Sequence, residues 1–251
     1  MDLGLRDRVY VVTGGARGLG RSAADALVAE GARVVLSGRS EASLAAAVAA
    51  LGDAAVSVVA DNADPDTPDR LVEAALARWG RVDGALVSVG GPPFGGILDM
   101  TDEQWTRSFE SVFLGALRLC RVLCGHLSEG GSLALVLSSS VKSPISGLGI
   151  SNGLRPGLAM AAKTLADEVG PRGIRVNGLL PGRIATERLA EMDALGGDPD
   201  GSRARAEAQI PLGRYGEPAE FGAVSAFLLS PAASYLTGVM LPVDGGMQRT
   251  L

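Results

Sequence analysis

The chain has 251 residues, 47% hydrophobic and 20% charged, with 23 basic and 28 acidic side chains and two cysteines. That length suits one α/β domain able to bury roughly 70–75% of its unfolded surface, and two thiols exclude a disulfide scaffold. A net charge of −5 speaks against nucleic acid or anionic lipid as partner. No apolar run nears the ~18 residues of a membrane span. Residues 1–8 carry charges of both signs without a signal-peptide core, so a cytoplasmic location is expected. Of the 23 basic residues 21 are arginine, leaving Lys142 and Lys163 as the two lysines.

Short β-branched runs alternate with longer Ala/Leu-rich segments of helical period. The first predicted strand, 8–12, runs into Thr13-Gly14-Gly15-Ala16-Arg17-Gly18-Leu19-Gly20, which opens a helix over about 18–30. Glycines there let a phosphate approach the backbone, and the helix start supplies free N–H groups. The spacing differs from the G-x-G-x-x-G fingerprint, yet the strand–turn–helix setting is that of a dinucleotide site. Gly14, Arg17, Gly18, Leu19 and Gly20 are the candidates. A second strand, 33–37, ends in Gly38-Arg39-Ser40 with no carboxylate before Glu41. An acid at that point would bind a ribose 2′-hydroxyl and an arginine a 2′-phosphate. Arg39 and Arg17 therefore favour NADP(H) over NAD(H).

Further strands are predicted at 55–60, 82–88, 132–138, 174–180 and 239–243. Helices fall at about 41–51, 65–79, 101–127, 153–169 and 217–229. Thr101 with Gln104 forms a capping-box signature, and Pro218 stands in the first turn of the last helix. Strands buried on both faces and alternating with helices imply a doubly wound parallel sheet of about seven strands in a single Rossmann-type domain. The charged segment 185–213, with Gly196-Gly197 inside it, is too long for an ordinary connection and is expected to be a substrate lid. Gly90–Gly96 follows the fourth strand, where Phe94 could line an apolar pocket. Cys120 and Cys124 share a helix face, but no further ligands follow at metal-site spacing, so they are packed thiols and no metal is expected.

The order of these motifs resembles the short-chain dehydrogenase/reductase family, nearest its β-ketoacyl-carrier-protein reductase branch. The likeness runs through the glycine loop, Asp61, Gly90, the strand-five serines, Arg172–Asn177, Pro181-Gly182, Thr186, Thr237-Gly238 and Val243-Asp244-Gly245-Gly246. It implies that Asp61 and Asn62 contact adenine and that Gly90 lies near the ribose. It also implies that Pro181, Gly182, Ile184 and Thr186 hold the nicotinamide, and that the chain forms a homo-oligomer, a tetramer or dimer.

The chemical end departs from that family. The family's serine falls on Ser138, but its tyrosine falls on Ser151, its lysine on Arg155 and its asparagine on Val112. The tyrosines Tyr10, Tyr215 and Tyr235 all lie elsewhere. A serine hydroxyl is a far weaker acid than a phenol, and Arg155 can stabilise an anion without exchanging its proton. Ser138, Ser151 and Arg155 are thus the catalytic candidates, forming an oxyanion site with water as proton source. Lys142 is the other candidate acid. Pro156 suits only a first helical turn, which puts the start of that helix near Asn152 or Gly153. The reading is an NADP(H)-dependent oxidoreductase of a carbonyl or alcohol. Two alternatives stay open: a nucleotide-binding protein without turnover, and a non-redox dehydratase or isomerase on the same fold.

Overall fold

The computed structural model describes residues 2–195 and 197–250. Seven parallel strands form one sheet: β1 Val9–Val12, β2 Arg33–Gly38, β3 Ala55–Val59, β4 Gly84–Val87, β5 Ser132–Val136, β6 Arg175–Pro181 and β7 Met240–Val243. Their order is β3-β2-β1-β4-β5-β6-β7. The chain winds outward from β1 to β3, then returns to start again at β4 on the other side. The crevice outside the carboxyl ends of β1 and β4 is therefore the place for a ligand.

The helices are α1 Gly18–Ala29, α2 Glu41–Leu51, α3 Thr67–Trp79, α4 Asp102–Ser108, α5 Gly115–His126, α6 Gly149–Val169, α7 Glu187–Ala194, α8 Pro199–Glu207 and α9 Pro218–Leu229. They cover both faces. One core layer joins Val9, Val11, Leu71, Leu119 and Leu133; the other joins Tyr10, Val12, Leu27, Leu36 and Phe221. Alternate residues of β1 thus feed opposite layers, as the period of a strand requires.

Three sequence expectations change. The helix expected at 153–169 begins at Gly149, so Pro156 sits inside it. Asn152 closes the preceding loop through Ile145, accepting from its N–H (3.1 Å) and donating to its carbonyl (2.8 Å). That contact holds the first turn in place and lets the helix begin about two turns ahead of the proline. The helix expected over 101–127 is interrupted by a π-helical stretch, Phe109–Leu114. There α5 meets the β3–α3 loop so closely that any Cβ at Gly115 would collide with Asn62 O. Segment 185–213 is not irregular throughout, since it contains α7 and α8. Of its Gly196-Gly197 pair, Gly196 lies outside the described residues. No helix among the described residues is long and apolar enough to cross a membrane.

Helices α1 and α9 cross at Gly222, where a Cβ would collide with Ser22 O. That atom belongs to helix backbone and cannot step aside. Gly222→Ala is expected to part the two helices at a cost of about 2–3 kcal/mol. For a domain of this size the melting temperature should fall by about 5–10 °C, which a thermal unfolding curve reads directly.

Candidate active site

The glycine loop is fixed to the end of β4 before it reaches α1. Thr13 Oγ1 donates to Ser88 O (2.6 Å) and accepts from Ser88 N–H (2.8 Å). Gly14 and Gly18 both take positive φ, near +60°, a region that L side chains rarely adopt. A Cβ at Gly20 would collide with Gly14 O, whereas one at Gly90 would meet nothing within 4 Å. The loop therefore packs tightly against α1 and leaves open space toward Gly90. N-cap residue Arg17 supplies no side-chain cap and the first turn of α1 holds no acid, so its N–H groups stay available for an anion.

Gly38, at the end of β2, packs on Ala16 of the loop, which sets Arg39 and Arg17 along one lip. Arg39 is exposed; Arg17 reaches across to Glu187 on α7 (3.2 Å). Opposite lies the β6–α7 turn. Gly182 is closed against Asp244 and Ile184 is buried beside Gly216. Thr186 caps α7 through Leu189 N–H (3.3 Å), and its methyl group lies 4.0 Å from where a Gly18 Cβ would be. Gly18 and Thr186 thus form the two lips of one cleft, with Pro181 at the end of β6 behind them. Asp61 is exposed and Asn62 half-buried, in a loop tied to α5 by Arg118 Nη1, which donates to Ala63 O (3.0 Å). These residues fit a dinucleotide: an open glycine cradle, unpaired helix N–H groups and two arginines on one rim. A groove of about 650 Å³ between α1 and α9 is lined by Gly18 and Thr186 but not by Ser138, Ser140 or Ser151.

The serines meet at the end of β5. Ser138 opens a short 3-10 turn, its Oγ accepting from Ser140 N–H (3.1 Å). Ser140 Oγ lies 3.5 Å from Ser151 Oγ on α6. One helical turn further on, Arg155 is buried and its Nη1 donates to Val136 O (2.8 Å). Burial, followed by the like charge of Arg188, pushes Arg155 down to about 10. It is still a cation at neutral pH. Ser138, Ser151 and Arg155 are therefore brought together, with Ser140 between them. Lys142 is exposed at the end of the turn. Val112 is buried in the π-helical stretch.

None of the three tyrosines belongs to this cluster. Tyr10 is buried under the sheet, its hydroxyl on Leu229 O (3.3 Å) and its pKa pushed up to about 12 by burial; Tyr235 is fully exposed. Tyr215 donates to Asp193 Oδ2 (3.0 Å), and Arg183 (3.0 Å) and Ser202 (3.3 Å) also donate to that carboxylate. One buried acid thus ties together the β6–α7 turn, α7, α8 and the approach to α9. Cys120 and Cys124 are buried in the core, Cys120 pushed up to about 12 by burial. No cluster of metal ligands occurs among the described residues.

Sequence reasoning passed over Arg188 and Gln248. Arg188 lies 3.5 Å above the Phe94 ring and its Nη2 donates to Pro92 O (2.6 Å). Gln248 Nε2 donates to Ser139 O, tying the C-terminal tail to the serine turn. Neither stands in a motif, and one arginine among 21 carries no signal of its own.

Fold and cleft together define a Rossmann-type, dinucleotide-binding α/β protein. A family model described as enoyl-(acyl carrier protein) reductase matches residues 14–248. The chain is 36% identical to L-rhamnose 1-dehydrogenase (NAD(P)(+)) of Azotobacter vinelandii, over 97% of each chain. It is 29% identical to a 3-oxoacyl-(acyl-carrier-protein) reductase of Vibrio cholerae, over 98% of this chain and 99% of that protein. Among solved structures it superposes on the L-sorbose reductase of Gluconobacter frateurii, determined with NADPH and L-sorbose. The TM-score is 0.92 and the identity 30%, and both chains are covered in full. The chain belongs to the short-chain dehydrogenase/reductase family of oxidoreductases.

Proposed function

We propose that the protein is an NADP(H)-dependent oxidoreductase of a carbonyl or alcohol, working without a tyrosine–lysine pair. The observation that carries this reading is Arg155, a buried guanidinium at the end of β5 beside Ser138 and Ser151. When bound, the nicotinamide supplies or removes a hydride. The chain's part is electrostatic. The Ser138 and Ser151 hydroxyls donate to the substrate oxygen, Arg155 stabilises the negative charge that develops there, and water brings the proton. Gly14, Gly18, Leu19 and Gly20 hold the pyrophosphate, Asp61 and Asn62 the adenine, Gly90 the ribose, and Pro181, Gly182, Ile184 and Thr186 the nicotinamide. Segment 185–213 closes over the site as a lid, and the chain assembles as a homo-oligomer. A relative named for NAD(P)(+) and a structural neighbour bound to NADPH support a nicotinamide cofactor of either kind; Arg39 and Arg17 favour the phosphorylated one.

Titration with NADPH and with NADH, followed by fluorescence and thermal stability, tests this reading. NADPH should bind about 10- to 100-fold more tightly. Arg39→Ala should weaken NADPH by about tenfold, the ~1.4 kcal/mol of one exposed charge-assisted contact, while NADH changes less than about twofold. If neither nucleotide binds, the redox reading fails and a non-redox enzyme or scaffold takes its place.

A further inference from the structure

Asp193 is a carboxylate buried near the end of α7, inside a small core where Leu189, Ile210 and Tyr215 pack with Met192 and Met247. That core shares no residue with the two layers packed on the sheet. Three donors reach the carboxylate, each from a different segment. Arg183 Nη1 comes from the β6–α7 turn (3.0 Å), Ser202 Oγ from α8 (3.3 Å) and the Tyr215 hydroxyl from the segment before α9 (3.0 Å). Burial, then the bond to Asp193, push the Tyr215 phenol above its ordinary value, so it stays a donor at neutral pH. Packing alone would be served as well by a leucine at this position. A buried ion pair adds little net stability, because desolvation offsets the attraction; it does hold its partners in one arrangement.

The arrangement held here includes the turn assigned above to the nicotinamide. Arg183 stands between Gly182 and Ile184 in that turn. Backbone bonds fasten the turn at its edges: Gly182 N–H donates to Val243 O (3.0 Å), Gly216 N–H to Arg183 O (2.9 Å) and Ala185 N–H to Gly216 O (2.8 Å). The Arg183–Asp193 pair adds a side-chain link to the far end of α7, about two turns beyond its cap Thr186. The end assigned to adenine is built separately. Asp61 accepts from Ala63 N–H (3.0 Å) and its carbonyl from Thr67 Oγ1 (2.6 Å), and these bonds involve nothing from residues 183–216. We propose that Asp193 is a positioning residue for the nicotinamide half of the cofactor. It acts through Arg183, fixing the turn 181–186 against α7, and leaves the adenosine half untouched.

This assignment rests on the cofactor reading above. Its test compares the full chain with Asp193→Asn in calorimetric binding of two ligands: NADPH, and adenosine 2′,5′-bisphosphate, which lacks the nicotinamide. Asp193→Asn should weaken NADPH by about tenfold, the loss of one charge-assisted link, and change the bisphosphate by less than about twofold. Because the small core stands apart from the main layers, its loosening is local, and the melting temperature should stay within about 5 °C. Arg183→Met should reproduce the tenfold loss, and Arg183→Lys should recover part of it. In the Arg183→Met background, Asp193→Asn should cost less than about twofold more, since the two side chains act as one unit. If Asp193→Asn does not fold, Arg183→Met and Arg183→Lys decide alone by the same comparison of ligands. Equal weakening of both ligands, no weakening of NADPH, or losses that multiply in the double variant would each overturn the assignment. Where the parent binds NADPH and the variants bind it as well, this inference falls and the cofactor reading stands. Where the parent binds the bisphosphate but neither NADPH nor NADH, the cofactor reading itself falls and takes this assignment with it.

Discussion

Replacing Arg155 by methionine is expected to lower kcat/KM by about 10²–10³ while leaving the melting temperature within about 3 °C of the parent. The two halves of that result come from the same burial. A guanidinium in a dry site stabilises developing negative charge far better than one in water, so its removal costs what losing an oxyanion donor costs. The same dryness makes the cation expensive for the fold. Burial and Arg188 hold its pKa near 10, below that of an unfolded arginine. The folded state therefore binds the proton less readily, and the charge opposes folding at every pH below about 10. That opposition fades only as pH rises past the folded value. Methionine, unbranched and of similar length, removes this penalty and leaves Val136 O one donor short, a loss of about 1 kcal/mol. The two changes offset. Melting curves and initial rates on the same preparations decide the matter. A fall of more than about 10 °C, with activity lost in step, would make Arg155 a structural strut instead.

The alternation of strands and helices, the glycine turn and the caps were legible because each is a local rule repeated along the chain. The Thr101–Gln104 box closes as its spacing predicts, with Gln104 N–H donating to Thr101 Oγ1 (3.3 Å) and Thr101 N–H to Gln104 Oε1 (2.9 Å). Pro218 stands at the start of α9. What failed was decided by tertiary contact. Nothing local announces that the helix opens into a π-helical stretch where Gly115 meets Asn62, or that Asn152 will hold a helical turn ahead of Pro156. Helices α7 and α8 share one buried carboxylate, Asp193. Its partners Arg183, Ser202 and Tyr215 lie up to 22 residues away in the chain, so the segment reads as a charged loop until it is folded.

The chemical end shows the same division. Ser138, Ser151 and Arg155 could be singled out only through the family resemblance, as the positions of its serine, tyrosine and lysine; that Ser151 and Arg155 lie one turn apart on one helix follows from the early start of α6. Arg188 could not. Its contacts with Phe94 and Pro92 depend on a loop after β4 and a helix after β6 meeting, and its identity is diluted by 20 other arginines.

Ser151→Tyr combined with Arg155→Lys should raise the rate of carbonyl reduction by about 10²-fold and make it depend on pH. Proton transfer from a positioned side chain contributes about 10²–10⁴, and the parent site offers only serine hydroxyls and water for that task. Helix α6 already runs through both positions, so the new phenol and ammonium sit one turn apart. The ammonium lowers the phenol's pKa toward the working range. Without a cation nearby a buried phenol moves the other way, as Tyr10 does when burial pushes it to about 12. In Ser151→Tyr alone, Arg155 remains held by Val136 O, and the gain should be no more than about tenfold. The pH profile separates acid catalysis from a mere change of shape. Reduction needs the phenol protonated, so the double variant should lose rate as pH rises through the phenol's pKa, while the parent stays flat to about pH 9 because Arg155 does not titrate there. The phenol must turn into the cleft, since Ser140 Oγ lies 3.5 Å from Ser151 Oγ. Binding of NADPH without any gain in rate would therefore mean that this space belongs to the substrate, and that the site differs from its family in shape as well as in acid.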